Sequence, residues 1–188
     1  GSLTVGNGGT ISPGNSPGTQ NVAGDLTWLA GGNYNWQTLD TIGTPGAQWD
    51  LISATGVLDL TALSIGSEFN INLWSLSSTG PDVNGNISNF NNTQPYQWLI
   101  ATAAGGITGF TGSNQFLINT GAINGTAGFS NPLGGGTFNI SQTGNNLYLN
   151  FAPSGGAPVP EPGTWAVGIL LVGGAAASAW RRRNRRRN

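Results

Sequence analysis

Apolar and polar residues alternate with a period of two in short runs, and the runs are punctuated by Gly, Asn and Pro. Leu26 and Trp28, Tyr34 and Trp36, Trp49 and Leu51, and Leu58 and Leu60 each fall on one face of such a run. Phe69, Ile71 and Leu73 do the same, followed later by Phe138 and Ile140 and by Leu147, Leu149 and Phe151. Successive side chains of a strand point to opposite faces, so the pattern predicts half-buried strands joined by turns. No helical stripe precedes Gly163. The 32 glycines and the lack of runs rich in Ala, Glu and Lys exclude a helical bundle and predict an all-β body. Two architectures fit: a sandwich with alternating faces, or a parallel solenoid with short strands and Asn and Gly at its corners. Gly136–Ile140 and Leu147–Phe151 are expected to pair as an antiparallel hairpin across Gly144-Asn145-Asn146 and to cap the structure against edge exposure. Asn84–Gln94 reads as a polar surface loop, and Gly105–Pro132 is too rich in glycine for strand assignment.

The pattern changes after Phe151. Ala152 to Pro158 is a Gly/Pro linker, then Val159-Pro160-Glu161-Pro162 precedes an uncharged stretch from Gly163 to Trp180 and the run Arg181-Arg182-Arg183-Asn184-Arg185-Arg186-Arg187. As a helix those uncharged residues rise about 27 Å, close to the hydrocarbon thickness of a bilayer, which predicts one C-terminal transmembrane helix. Trp165 and Trp180 mark its two ends at headgroup level. The arginines Arg181, Arg182, Arg183, Arg185, Arg186 and Arg187 act as a cytoplasmic stop signal that leaves the N-terminus outside. The prolines disfavour helix and present Glu161 on extended backbone. A Pro-Glu-Pro triplet, one apolar span and a terminal arginine cluster in this order resemble the PEP-CTERM sorting signal of Gram-negative bacteria, over residues 159–188. The resemblance implies recognition by exosortase, a membrane-embedded cysteine peptidase, with Pro160, Glu161 and Pro162 as the triplet it reads. It further implies anchoring in the inner membrane before processing, then release at the cell surface or outside the cell.

A second resemblance concerns residues 1–65. Gly9-Thr10-Ile11-Ser12-Pro13-Gly14-Asn15-Ser16-Pro17-Gly18-Thr19, then Val22-Ala23-Gly24-Asp25-Leu26-Thr27 and Gly31-Gly32-Asn33-Tyr34, are similar to the repeat of autotransporter passengers. Gln48-Trp49-Asp50-Leu51-Ile52 and Gly56-Val57-Leu58-Asp59-Leu60 continue it. This resemblance implies the C-terminal end of a right-handed parallel β-helix (solenoid), with residues 66–151 continuing the β-rich region and its antiparallel cap. Pro13 and Pro17 suit the turns by presetting φ, with Gly14 and Gly18 supplying conformations barred to other residues. The autotransporter pattern lacks its outer-membrane barrel here, and the tail signal stands in its place.

Charge narrows the chemistry. Residues 1–158 hold Asp25, Asp40, Asp50, Asp59, Asp82 and Glu68 against no lysine or arginine, a net charge of −6, and no charged residue lies between Asp82 and Glu161. With no cation to neutralise phosphate, nucleic acid is excluded as a partner. Histidine and cysteine are absent, which removes the common nucleophile–base arrangements, His-ligated or thiolate metal centres and disulfides. The chain is therefore read as no enzyme and as requiring no cofactor. Methionine is absent too, and no basic or apolar leader opens the sequence, so Gly1 is expected to lie downstream of the translational start.

Four features carry a functional alternative beside a plainer one. Asp25, Asp40, Asp50 and Asp59 offer oxygen ligands for calcium, or a carboxylate pair for glycoside hydrolysis. Their spacing matches no calcium loop, and solvated turns are the preferred reading. Trp28, Trp36, Trp49, Trp74 and Trp98 offer rings to stack on sugars, against core packing. Asn-x-Ser/Thr triplets begin at Asn86, Asn91, Asn124 and Asn139, and are read as turn and strand chemistry rather than glycan acceptors. No regular Thr-x-Thr ladder supports ice binding. The expectation is an exported structural or adhesive protein of the cell surface or biofilm matrix, with exosortase and the membrane as partners and an extracellular polysaccharide as a further one. A polysaccharide-binding or polysaccharide-active matrix protein, and a permanently anchored β-rich protein, are the alternatives.

Overall fold

The computed structural model describes residues 1–155 apart from Asn15 and Pro81, and Gly1–Ser154 form one compact unit. The chain is all-β over these residues, its one helical element being a 3₁₀ turn at Ser113–Gln115. Three sheets are visited in rotation. The first holds β1 (Leu3–Val5), β4 (Leu26–Trp28), β7 (Leu58–Asp59) and β11 (Ile107–Thr108), in that order and all parallel. The second holds β12 (Phe116–Asn119), β8 (Phe69–Ser78), β5 (Asn33–Thr38) and β2 (Thr10–Ile11), also parallel, with β9 (Val83–Asn84) antiparallel to the far end of β8. The third runs β13 (Thr137–Thr143), β14 (Asn146–Ala152), β10 (Tyr96–Ala103), β6 (Leu51–Ala54), β3 (Thr19–Val22).

In the third sheet β3, β6 and β10 are parallel, whereas β14 is antiparallel to both β10 and β13. The second and third sheets are thus mixed, and the expected right-handed parallel β-helix solenoid is thereby corrected. The physical reason is that period-two alternation is the same for parallel and antiparallel neighbours and says nothing of pairing direction. Direction is set by the connections. The tight turn at Gly144-Asn145, with Gly144 at φ 55°, returns the chain on itself and joins β13 to β14 in register from Thr137↔Ala152 to Thr143↔Asn146. This is the hairpin predicted there. The expected transmembrane helix over Gly163–Trp180 lies outside the described residues; among the described residues no helix is long and apolar enough to cross a membrane.

Register stacks like residues into columns. Leu3, Leu26, Leu58 and Ile107 align across the first sheet, Ile11, Tyr34, Ile71 and Ile118 across the second, and Val22, Ala54 and Ala103 across the third. Apart from the exposed Leu3, these columns face one shared core. Its bulk comes from Trp28, Tyr34, Trp36, Phe69, Trp98 and Phe151, all fully buried. Trp28 stacks on Phe69 at 4.4 Å and 3°, and Trp36 meets Trp98 edge-on at 5.8 Å, geometries that add to the burial term. Three of the rings have partners for their polar atoms: Trp36 Nε1 donates to the Asp50 carbonyl at 2.9 Å, Trp49 Nε1 to that of Leu99 at 3.1 Å, and the Tyr34 hydroxyl to that of Ile100 at 3.3 Å, whereas Trp28 Nε1 is buried without one.

Two sequence expectations shift. Gly105–Pro132, left without strands, contributes β11 and β12, whose few residues are fixed by in-register pairing to β7 and β8. Trp49 and Leu51 do not share a face inside a strand, because Trp49 precedes β6 and is buried whereas Leu51 is half-buried, its neighbour Ile52 entering the core.

Gly32 shows how tight the first and second sheets are at their junction. A Cβ there would lie 2.6 Å from the Val5 carbonyl oxygen and 2.6 Å from a ring carbon of Phe69. Gly32→Ala is expected to lower the unfolding free energy by about 1–3 kcal/mol through overpacking. Urea titration monitored by tryptophan fluorescence measures it; an unchanged midpoint would refute the packing account.

Candidate functional site

The residues expected to form the sorting signal, Pro160, Glu161 and Pro162, Trp165 and Trp180, and Arg181 to Arg187, lie outside the described residues. The other candidates can be placed. The carboxylates predicted as calcium ligands or a catalytic pair take up separate posts, each accepting hydrogen bonds from the chain around it. Asp25 Oδ1 accepts from the Val57 N–H at 2.8 Å, tying the start of β4 to that of β7. Asp40 accepts from Ile42 N–H at 3.0 Å and from the Asn89 amide at 2.9 Å, and Asp59 from Thr61 N–H at 2.9 Å. Glu68 accepts from Gly66 N–H at 2.7 Å, and Asp82 from the Gln37 side chain at 2.9 Å. Short acidic side chains that bond backbone two residues on are a local turn device. Among the described residues no group of three or more acidic side chains gathers into a place that could hold a metal ion.

Asp50 differs from the rest. It is fully buried, and its two oxygens accept the backbone N–H groups of Gly18 at 2.7 Å and Gln37 at 2.9 Å. One carboxyl thus joins the turn before β3 to the C-terminal end of β5. Burial raises its pKa from 3.8 to about 7, against the lowering effect of the two N–H donors and with a further rise from Asp82. Tyr34 is pushed well above its ordinary value, first by burial and then by Asp50. In contrast, Asp59 is held below the usual carboxylate range by the backbone N–H and hydroxyl of Thr61 and by the Thr108 hydroxyl. Nothing in the spacing of acidic residues distinguishes Asp50 from Asp40 or Asp59; only its position beside Trp49 in an apolar run hints at burial.

The tryptophans do not form a sugar platform. Trp28, Trp36, Trp49 and Trp98 are buried in the core, and Trp74 is half-buried on the outer side of β8. The Asn-x-Ser/Thr asparagines serve the fold where their contacts are defined. Asn91 Oδ1 accepts from Thr93 N–H at 3.0 Å, Asn139 Oδ1 accepts from Asn150 at 3.0 Å, and Asn124 donates to Thr10 and Asn35 at 2.9 and 3.1 Å. Through that last pair, the segment around Asn124 crosses the outer face of the second sheet, where Asn35, Asn72 and Asn119 align and bond in a ladder. Asn72 is fully buried as a result. The outward aromatic that sequence reading passed over is Tyr148, at the middle of β14, whose position among Asn and Ser carries no signal of its own.

Residues 158–183 match the PEP-CTERM protein-sorting motif, a span that contains Pro160, Glu161 and Pro162 and ends within the arginine run. The motif is the one recognised by exosortase, and it implies export and processing at the cell envelope of Gram-negative bacteria. The match does not extend to residues 1–65, and the resemblance of that part to autotransporter passengers is not shown by it. No curated protein matches the chain.

The buried carboxyl of Asp50 has a measurable consequence. The folded chain holds its proton more tightly than the unfolded chain, so between pH 3.8 and about 7 the native state binds more protons and stability falls as pH rises. A decline of roughly 4 kcal/mol between pH 4 and 7, flattening above, is expected from the size of the shift. Asp50→Asn removes most of that slope and is about 1–3 kcal/mol less stable at pH 4, because one backbone N–H then faces an amide N–H₂. Urea denaturation from pH 4 to 8 measures both; a parent protein whose stability rises through that window would contradict the assignment.

Proposed function

We infer that the chain is a structural or adhesive protein of the cell surface or extracellular matrix, delivered through its tail and non-catalytic in its folded body. The observation that carries this reading is the sorting motif at residues 158–183. Within it and just after it, the uncharged stretch Gly163–Trp180 and the arginines from Arg181 to Arg187 hold the precursor at the inner membrane with its body outside. Exosortase then reads Pro160, Glu161 and Pro162 and cuts close by. Proline fixes φ and withholds an N–H, so a sequence with two prolines in three residues disfavours helix.

The body suits a structural role. Its carboxylates are occupied in holding turns or strands, and neither histidine nor cysteine is present to act as base or nucleophile. Its polar surface is built from amides and hydroxyls, which stay solvated at any pH a cell surface meets.

Intact-mass analysis of the mature protein, from cells with and without exosortase, tests the reading. Loss of the residues after about Pro160 is expected in the parent strain only. Replacement of Pro160, Glu161 and Pro162 by Ala is expected to leave the tail in place in both strains. A tail ending at Asn188 in every strain would overturn it.

A further inference from the structure

Among the described residues, no segment from outside the third sheet bonds across the outer face of its β13, β14 and β10 strands. Its centre is Tyr148 on β14. Register places Leu99 of β10 on one side of it and Ser141 of β13 on the other. The row beside them aligns Asn139, Asn150 and Gln97. Side chains opposite one another on adjacent strands lie about 5 Å apart, and the strands themselves about 4.8 Å apart, so these groups share one flat patch.

Hydrogen bonds within the patch fix its polar groups. Asn150 donates to Asn139 Oδ1 at 3.0 Å and to the Ser141 hydroxyl at 2.9 Å, and accepts from Gln97 Nε2 at 2.9 Å. Asn146 donates to the Tyr148 hydroxyl at 3.2 Å. These bonds leave the Tyr148 hydroxyl proton and the side-chain oxygens of Gln97 and Asn146 unused by their neighbours in the sheet. The result is a half-buried ring beside a half-buried leucine, bordered by oriented donors and acceptors with no ionisable acid or amine. The second sheet offers the contrast: its amide ladder is bonded into itself and crossed by the segment around Asn124.

We propose that the outer face of β13, β14 and β10, centred on Tyr148, binds a neutral polysaccharide. A sugar ring presents a C–H face to an aromatic ring and hydroxyls to its rim, and a flat face suits an extended polymer of such rings. Charge selects the neutral class. The body carries six carboxylates and no lysine or arginine, so an acidic polymer meets repulsion without any compensating cation. The residues of the face all belong to Gly1–Ser154, and polymer binding and tail processing are read by separate measurements; failure of this inference leaves the sorting reading standing, and the reverse also holds.

The test is co-sedimentation of the full 188-residue chain, in mild detergent, with insoluble cellulose, chitin, mannan, xylan and curdlan, and with calcium-gelled alginate and polygalacturonate as acidic counterparts. Retention on at least one neutral polymer is expected. Tyr148→Ala should weaken it at least about tenfold, the effect of losing a central anchor. Tyr148→Phe should keep most of it, and Gln97→Ala should weaken it several-fold. Tyr148→Thr, which keeps a strand-forming residue, replaces the alanine variant if that one loses its cooperative unfolding. No retention on any neutral polymer, equal retention by parent and Tyr148→Thr, or retention on the acidic gels alone would each overturn the proposal. So would loss of self-association, rather than of polymer binding, in the Tyr148 variants, since the face would then be one that two copies share.

Discussion

Strands of two to four residues have no stability of their own, and the structure rests on the register that sets one directly upon the next. β1, β2, β4, β7 and β11 are each too short to hold a conformation alone. Each is fixed by an aligned neighbour that buries the same kind of side chain at the same level. The column Leu26, Leu58, Ile107 and its counterpart Ile11, Tyr34, Ile71, Ile118 turn a list of weak local preferences into a continuous apolar interior. Slipping any strand by one residue would exchange its core and solvent faces, so the alternation that makes the columns also protects them.

A core built this way needs its polar groups managed without the usual ionic surface. The carboxylates are used locally, as acceptors for turn N–H groups, and Asp50 alone is carried inside, where it spans two segments that no strand pairing joins. Amides do much of the remaining work, in the ladder through Asn35, Asn72 and Asn119 and in the network around Asn150. An amide both donates and accepts, so a column of asparagines satisfies itself at any pH. Aromatic residues complete the arrangement at the far end, where Phe90, Phe129, Phe138 and Phe151 pack edge to face around the hairpin.

Much of this was legible in the order of residues. Leu26 with Trp28, Tyr34 with Trp36, Phe69 with Ile71 and Leu73, and Leu147 with Leu149 and Phe151 are all core positions, as period two requires, and the glycine and asparagines after Thr143 marked the hairpin. Pairing direction was not legible, because it depends on how far the chain travels between strands rather than on which faces are apolar. Nor was the burial of Asn72, which depends on a segment some fifty residues later crossing its sheet. Among the candidate acidic residues, Asp40 and Asp59 bond the backbone two residues on, as their short side chains allow, whereas the burial of Asp50 is a property of its neighbours in space. Tyr148 escaped notice since an aromatic on the polar phase of an alternating strand looks like any exposed tyrosine.

The first lysine or arginine in the chain is Arg181, and this shapes how the protein endures outside a cell. Proteases of the trypsin type find no bond to cut before that point, in folded or unfolded chain. Removal of the arginine tail would leave none at all. Reagents that attack primary amines, such as reducing sugars and lipid-derived aldehydes, likewise meet no lysine anywhere in the sequence. A body assembled from amides, hydroxyls and buried rings is thus chemically quiet towards two common routes of extracellular attrition, by the same composition that leaves it without histidine or cysteine.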